Sequence, residues 1–163
     1  METKNKIVKI AKGCYIAAKV LYILAFAVTL AFIALAIALP LTEAIEKYAP
    51  AETAVLFSTL SLYAFICIGL LWNVEGLFKS IVKEQAPFSD RVGHYLKKIA
   101  VFVLILSVVP AVLGTAIVRI ACPETELAFP IELGGIIAGA VLFFIGLFFE
   151  YGKELQQKDD ETL

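Results

Sequence analysis

The stretch WNVEGLFKSIVKEQAPFSDRVGHYLKKI, residues 72–99, is the longest polar connection between two apolar runs of this 163-residue chain. It holds the single tryptophan, the single histidine and five of the fourteen lysine and arginine residues. Val74, Leu77, Phe78 and Ile81 recur at helical spacing, and charged residues occupy the other side. This pattern predicts an amphipathic helix that continues directly from the preceding apolar run.

A helix break and a second helix start follow within the same stretch. Pro87 disfavours helical geometry at Ala86, so the first helix is predicted to end there. Ser89 is a good N-cap, and Asp90 complements the positive end of the next helix. The stretch therefore predicts a helix–turn–helix elbow. It is either a hairpin at the membrane surface that needs no partner or a docking platform for a cytoplasmic protein.

Long apolar runs on both sides of this stretch indicate a membrane protein. Hydrophobic residues make up 61% of the chain, which exceeds the usual share in soluble domains. They are gathered in runs of about 20, which at 1.5 Å per helical residue cross a hydrocarbon core of about 30 Å. We predict an all-α, integral membrane four-helix bundle with spans at about 20–39, 54–72, 99–118 and 131–149.

The basic residues are sorted by position along the chain. Twelve lie before the first span, in the 73–98 connection or in the polar 150–163 tail, whereas two lie in the other connections. Because lysine and arginine concentrate on the cytoplasmic side, both termini and the elbow are predicted to be cytoplasmic. Residues 1–19 are either a short amphipathic helix at the surface or the plain start of the first span.

Small residues mark two candidate helix-packing faces. Ala27, Ala31 and Ala34 share one face of the first span, and Gly135 and Gly139 form a GxxxG pattern in the fourth. Small side chains let two membrane helices approach closely. These faces are predicted to pack within the bundle or between the subunits of a homo-oligomer.

The last two spans contain few residues that disturb a helix or carry charge. Pro110 predicts a kink in the third span, either static or a hinge, and Ser107 is placed to bond a carbonyl that the proline frees. Residues 119–130 are predicted to form an outer loop. Glu132 is predicted to stay solvated near the outer end of the fourth span, so no carboxylate is expected deep in the membrane.

No motif in the sequence indicates an enzyme. It contains no Gly-rich phosphate loop, no HExxH pattern and no Ser/His/Asp set in motif context. The three cysteines are far apart and fit neither a metal site nor a disulfide framework. A pI near 5.9 argues against direct nucleic-acid binding. We therefore predict a non-enzymatic protein without cofactor or metal, surrounded by membrane lipid.

Two stretches resemble the YoaS-like bacterial membrane proteins, a four-span family of unknown function. The first is KEQAPFSDRVGHYLKKIAVFVLI, residues 83–105, and the second is FFEYGKELQQKDDETL, residues 148–163. The family pattern is a short polar stretch, Pro-Phe-Ser and a basic helix start, with a tail that ends in an acidic run. The matching positions are Pro87, Phe88, Ser89, Gly152, Glu154, Leu155, Gln156, Asp160, Thr162 and Leu163.

The resemblance implies a bacterial or archaeal plasma (inner) membrane protein, often encoded beside a small Cro/CI-type helix-turn-helix regulator. By analogy, the protein would bind or sequester that regulator at its cytoplasmic surface. An alternative is a small oligomeric transporter or a lipid-interacting protein, which the small-residue faces and Pro110 favour. The candidate partner surface comprises Phe78, Lys79, Lys83, Pro87, Phe88, Ser89, Arg91, Glu154, Leu155 and Gln156.

Overall fold

A computed structural model of the chain describes residues 2–38, 50–84, 89–124, 126 and 128–161. Within them, each of four helices is long and apolar enough to cross a membrane. This confirms the predicted all-α class with four candidate spans. Helices suit a membrane because a helix satisfies its own backbone groups where water is absent. The helices are α1 (Glu2–Ala38), α2 (Pro50–Glu84), α3 (Asp90–Ala121) and α4 (Leu133–Glu161).

The four helices pack against one another in chain order. Within the described residues, extensive interfaces join α1 to α2, α2 to α3 and α3 to α4. The ring of Tyr22 meets that of Trp72 edge-on at 5.8 Å, and Phe32 lies 6.2 Å from Phe57. These pairs show that α1 and α2 are antiparallel. The bundle is therefore open, with α1 and α4 at its two edges.

The helices around the elbow agree with the sequence pattern. Helix α2 continues without a break to Glu84, as the amphipathic spacing predicts. The Ser89 hydroxyl accepts a hydrogen bond from the Val92 N–H at 3.4 Å, which confirms the predicted N-cap of α3. Pro87 and Phe88 lie outside the described residues. Helix α1 begins at Glu2, so the basic lead-in is continuous with the first apolar run.

Helix α4 packs against α3 through its glycines. A Cβ atom at Gly139 would lie 2.7 Å from Leu104 Cγ and 3.2 Å from the Ala100 carbonyl oxygen. A Cβ atom at Gly135 would overlap Ser107 Oγ. The GxxxG face therefore brings two helices of the same chain together.

The alanine face of α1 points away from the rest of the described chain. Ala27, Ala31 and Ala34 are exposed. Ala18 and Thr29 are buried instead, so α1 meets α2 through a different face. Packing of the alanine face between subunits stays a prediction.

Helix α3 ends with a hydrogen-bonded turn. The Cys122 N–H donates to the Val118 carbonyl oxygen at 2.8 Å. Pro123 follows directly, and because proline has no N–H and a fixed φ, the helix does not continue. Pro110 lies inside α3 and is fully buried.

The chain then folds back along α3 without forming a helix. The Phe129 N–H donates to Thr115 Oγ1 at 3.0 Å, and this hydroxyl donates to the Phe129 carbonyl oxygen at 3.5 Å. Farther back, the Glu132 N–H donates to the Ser107 carbonyl oxygen at 3.3 Å. We call residues 123–132, as far as they are described, the returning segment. It brings the start of α4 to the middle of α3.

Of three sequence-based predictions for this region, only the one for the Ser107 hydroxyl is wrong. An outer position of residues 119–130 stays a prediction, although Phe129 folds back beside Thr115. Glu132 directly precedes α4, the fourth candidate span, and a solvated position for it stays a prediction, although its backbone bonds to Ser107 in the middle of α3. The Ser107 hydroxyl donates to the Val103 carbonyl oxygen at 2.8 Å, rather than to the carbonyl that Pro110 frees.

Candidate functional site

A cavity of about 640 Å³ opens where α2 ends and α3 begins. At this level the two helices are antiparallel and close together, since the ring of Tyr95 lies against Gly76. We call this space the basic cavity because of its side chains. Its lining residues are Gly76, Lys79, Ser80, Lys83, Arg91, His94, Tyr95, Lys98 and Glu150.

Helical spacing brings the cations of the basic cavity together. Lys79 and Lys83 are four residues apart on α2, so they lie on one face. Arg91, His94 and Lys98 are spaced by three and four residues on α3 and share a face there. The antiparallel helix pair turns these two faces toward the same space. Four permanent cations and one imidazole therefore surround it.

Carboxylates offset only part of this charge. Glu150 of α4 lines the cavity but lies 2.6 Å from Lys97 Nζ. Glu84 lies 3.3 Å from Arg91 Nε, and because the Arg91 side chain is 64% exposed this pair contributes only about 0–1 kcal/mol. Within the described residues, no carboxylate lies within ion-pair distance of Lys79, Lys83 or Lys98. The cavity therefore has an excess of positive charge.

A second cavity, of about 460 Å³, shares His94 and Lys98 with the first. Its walls combine polar groups from α2 and α3 with apolar and aromatic side chains from α3 and α4. We call it the adjoining cavity. Its lining residues are Asn73, His94, Lys97, Lys98, Val101, Phe102 and Phe143.

The structure brings together part of the predicted partner surface. Lys79, Lys83 and Arg91 all line the basic cavity. Phe78 is half-buried on α2. Ser89 caps α3 and plays a structural role at that position.

The remaining predicted partner residues are less closely defined. Pro87 and Phe88 lie outside the described residues. Glu154, Leu155 and Gln156 belong to the helical backbone of α4, which runs to Glu161. The acidic tail thus begins as a continuation of the fourth helix.

Sequence reasoning missed three residues of the site. The partner surface predicted from the sequence includes neither His94 nor Lys98, although both line the basic cavity. The spacing of Arg91, His94 and Lys98 could have revealed their common face. Glu150 comes from another helix, and no local pattern predicts its position beside Lys97.

The chain matches no protein-family model, no curated protein and no solved structure. The resemblance to YoaS-like proteins therefore stays a prediction based on the two quoted stretches. The charges and shape of the two cavities indicate what this region can bind. Lysine and arginine side chains that converge on one space favour an anionic group, either a carboxylate or a phosphate.

Proposed function

We propose that this protein is a non-enzymatic regulatory protein of the plasma membrane that binds a small cytoplasmic protein. The basic cavity carries the proposal, because it gathers four permanent cations between two helix ends. The distribution of basic residues along the sequence supports a cytoplasmic position for this end of the molecule. The partner would therefore dock on the surface formed by α2, α3 and the start of the α4 extension.

The charge of the cavity defines the partner chemistry. A positive site attracts an acidic protein surface and repels a basic one. The partner that the resemblance implies is a helix-turn-helix regulator, whose DNA-contacting face would be basic. Such a regulator would have to dock through an acidic face, which would hold it at the membrane away from DNA.

Removing three of the four permanent cations of the basic cavity should weaken partner capture. We expect the triple variant Lys79→Gln, Lys83→Gln and Arg91→Gln to lower partner affinity by about tenfold or more, because the acidic partner surface loses three opposite charges. A tenfold loss corresponds to about 1.4 kcal/mol. The measurement is photo-crosslinking in native membranes with the reactive residue at Phe78. Adducts would be identified by mass spectrometry, and their yields would be compared between variants.

Two controls make this experiment specific. The variant Lys9→Gln, Lys12→Gln and Lys19→Gln removes the same charge from α1, and it should retain the adduct. A crosslinker at Phe65, which is exposed in the apolar part of α2, should not yield it. Equal adduct yields from the two triple variants, or no protein adduct at Phe78, would contradict the proposal.

A lipid-interacting function is the second candidate, and the adjoining cavity favours it. Lys97 and Lys98 lie at its polar end, whereas Val101, Phe102 and Phe143 form apolar walls. An anionic phospholipid has the same division between a phosphate and an acyl chain. Basic pockets between membrane helices commonly bind such headgroups.

Added lipid should separate this candidate from protein binding. Phosphatidylglycerol should raise the thermal unfolding midpoint of the purified protein more than phosphatidylcholine with the same chains, because only the former carries a net negative charge. Lys98→Gln should remove the difference, whereas Lys12→Gln should preserve it. Equal stabilisation by both lipids would argue against a specific anionic-lipid site.

A further inference from the structure

The returning segment places a carboxyl residue at an unexpected level. Glu132 bonds through its N–H to the carbonyl oxygen of Ser107, fourteen residues before Ala121 at the end of α3. At 1.5 Å per residue, this level is about 21 Å back from the helix end. Its depth in a membrane follows from the placement proposed above, on which this inference rests.

Residues on α2 and α3 mark the elbow-side boundary of that membrane. Gly69 lies against Phe102 and Gly76 against Tyr95, so Trp72 lies near the level of Ile99. Tryptophan is enriched at membrane–water interfaces, and lysines such as those that precede Ile99 extend toward the headgroups. The hydrocarbon region should therefore begin near Ile99 on α3.

Glu132 then lies near the middle of the hydrocarbon region. Ser107 is nine residues from Lys98, or about 14 Å, and twelve residues from Arg119, or about 18 Å. If the membrane were shifted to cover all of α4, Glu132 would lie at its edge, but other charged groups would enter it. The shift would immerse Lys97 and Lys98, together with the Lys97–Glu150 ion pair.

The returning segment has features that suit it to this depth. Backbone outside a helix is tolerated inside a membrane only where protein groups or water satisfy it. Thr115 bonds both the N–H and the carbonyl oxygen of Phe129, and Ser107 accepts the N–H of Glu132. The Phe129 ring lies against Gly114, between α2 and α3. The segment is therefore fixed to its neighbours by specific contacts.

We propose that Glu132 is a proton-binding carboxyl group at mid-depth in the membrane. Its side chain is exposed on the surface of the isolated chain, so at this depth it faces lipid. An ionised carboxylate is costly at the centre of a membrane, and a bound proton removes its charge.

The neighbours of Glu132 favour a proton over a metal ion. Tyr63 on α2 lies close enough to interact electrostatically with it. Ser107 faces it from α3, and Cys67 lies one helical turn from Tyr63 toward the elbow. Within the described residues, no other charged side chain lies at this level on any of the four helices. One carboxyl group with a hydroxyl neighbour cannot supply the six or more oxygens that calcium requires.

Carbodiimide labelling tests the inference directly. Dicyclohexylcarbodiimide is apolar and partitions into lipid, where the O–H of a carboxylic acid adds across one of its C=N bonds. The acid oxygen bonds to the central carbon and its proton moves to nitrogen. The acyl group then migrates from oxygen to nitrogen. This rearrangement gives a stable N-acylurea and releases no other group. Reconstituted protein should acquire this adduct at Glu132, as read by peptide mass spectrometry.

The controls distinguish depth from simple reactivity. Glu132→Gln should lose the adduct, whereas Glu124→Gln, in the exposed turn after α3, should retain it. A water-soluble carbodiimide with an added amine should modify Glu124 but not Glu132. Raising the pH should decrease labelling of Glu132, because the ionised form does not add. Glu132→Asp is a second variant that keeps the acid if the glutamine variant does not fold.

One result would overturn the proposal. If the water-soluble reagent modifies Glu132 as readily as Glu124, the carboxyl group is solvated and no mid-membrane site exists. This outcome is independent of partner capture at the basic cavity, because labelling uses purified protein in vesicles. Failure of the crosslinking experiment would leave the labelling result unaffected, so the two proposals fail separately.

Discussion

Replacing Gly139 with leucine is expected to destabilise the folded protein by about 1–3 kcal/mol, the usual cost of overpacking a close contact. The first added atom, Cβ, would lie 2.7 Å from Leu104 Cγ and 3.2 Å from the Ala100 carbonyl oxygen. The Leu104 side chain can rotate, but the Ala100 oxygen belongs to the α3 backbone. Helices α3 and α4 would therefore have to separate.

The separation would extend beyond the site of substitution. Gly146 lies two turns farther along the same face of α4, and a Cβ there would be 3.2 Å from the Gly93 carbonyl oxygen. The two backbones thus approach closely at both positions. A displacement at Gly139 would also weaken the packing near Gly146. The unfolding midpoint in a denaturing-detergent titration, followed by circular dichroism, would measure the loss.

Gly134→Leu is the matched control for this prediction. Position 134 lies on the same helix, and a Cβ there would meet nothing within 4 Å. Replacing an exposed helical glycine usually gains several tenths to about 1 kcal/mol, because glycine is a poor helix former. We therefore expect Gly134→Leu to be neutral or slightly stabilising. If Gly139→Leu unfolds at the wild-type midpoint, the α3–α4 packing described here is wrong.

The helices themselves could be predicted from the sequence because their signals are local. A run of about 20 apolar residues has few structures available in a membrane other than a helix. The start of α3 was equally clear, since Ser89 accepts the hydrogen bond that an N-cap residue is expected to accept. Both features depend on residues close together in the chain.

The returning segment could not be predicted because its partners are distant in sequence. Phe129 bonds to a threonine fourteen residues earlier, and Glu132 bonds to a serine twenty-five residues earlier. Pro123 and Pro130 indicate only that the helix stops. Whether the chain then stays outside or turns back depends on tertiary contacts. An acidic residue beside a proline-containing stretch most simply indicates a solvated loop, so no local pattern places Glu132 beside Ser107.

The basic cavity was predictable only in part, because its lining residues come from three different helices. Lys79 and Lys83 were recognised as one face of α2, because helical spacing alone determines it. The contribution of α3 required the relative rotation of two helices, which Gly76 and Tyr95 establish through their contact. Glu150 required the packing of a third helix. Local pattern thus reveals the charges, and only packing reveals that they share a space.

Thr115→Val should destabilise the protein by about 1–3 kcal/mol, the cost of leaving the part-buried Phe129 N–H group without a partner where the membrane excludes water. Valine has almost the same shape as threonine but no hydroxyl, so it keeps the packing and loses both bonds to Phe129. The N–H bond, at 3.0 Å, is the stronger of the two. The denaturing-detergent midpoint would report the stability loss, and hydrogen exchange at the Phe129 amide would report local opening.

Two variants show whether this loss reflects the depth of the returning segment. Thr115→Ser keeps the hydroxyl and should retain most of the stability. Thr29→Val removes a hydroxyl that donates only to the Ala25 carbonyl within α1, at 2.8 Å, and should have little effect. If Thr115→Val costs no more than Thr29→Val, water must reach the Phe129 N–H. The returning segment would then be solvated, and the argument that places Glu132 inside the membrane would fail with it.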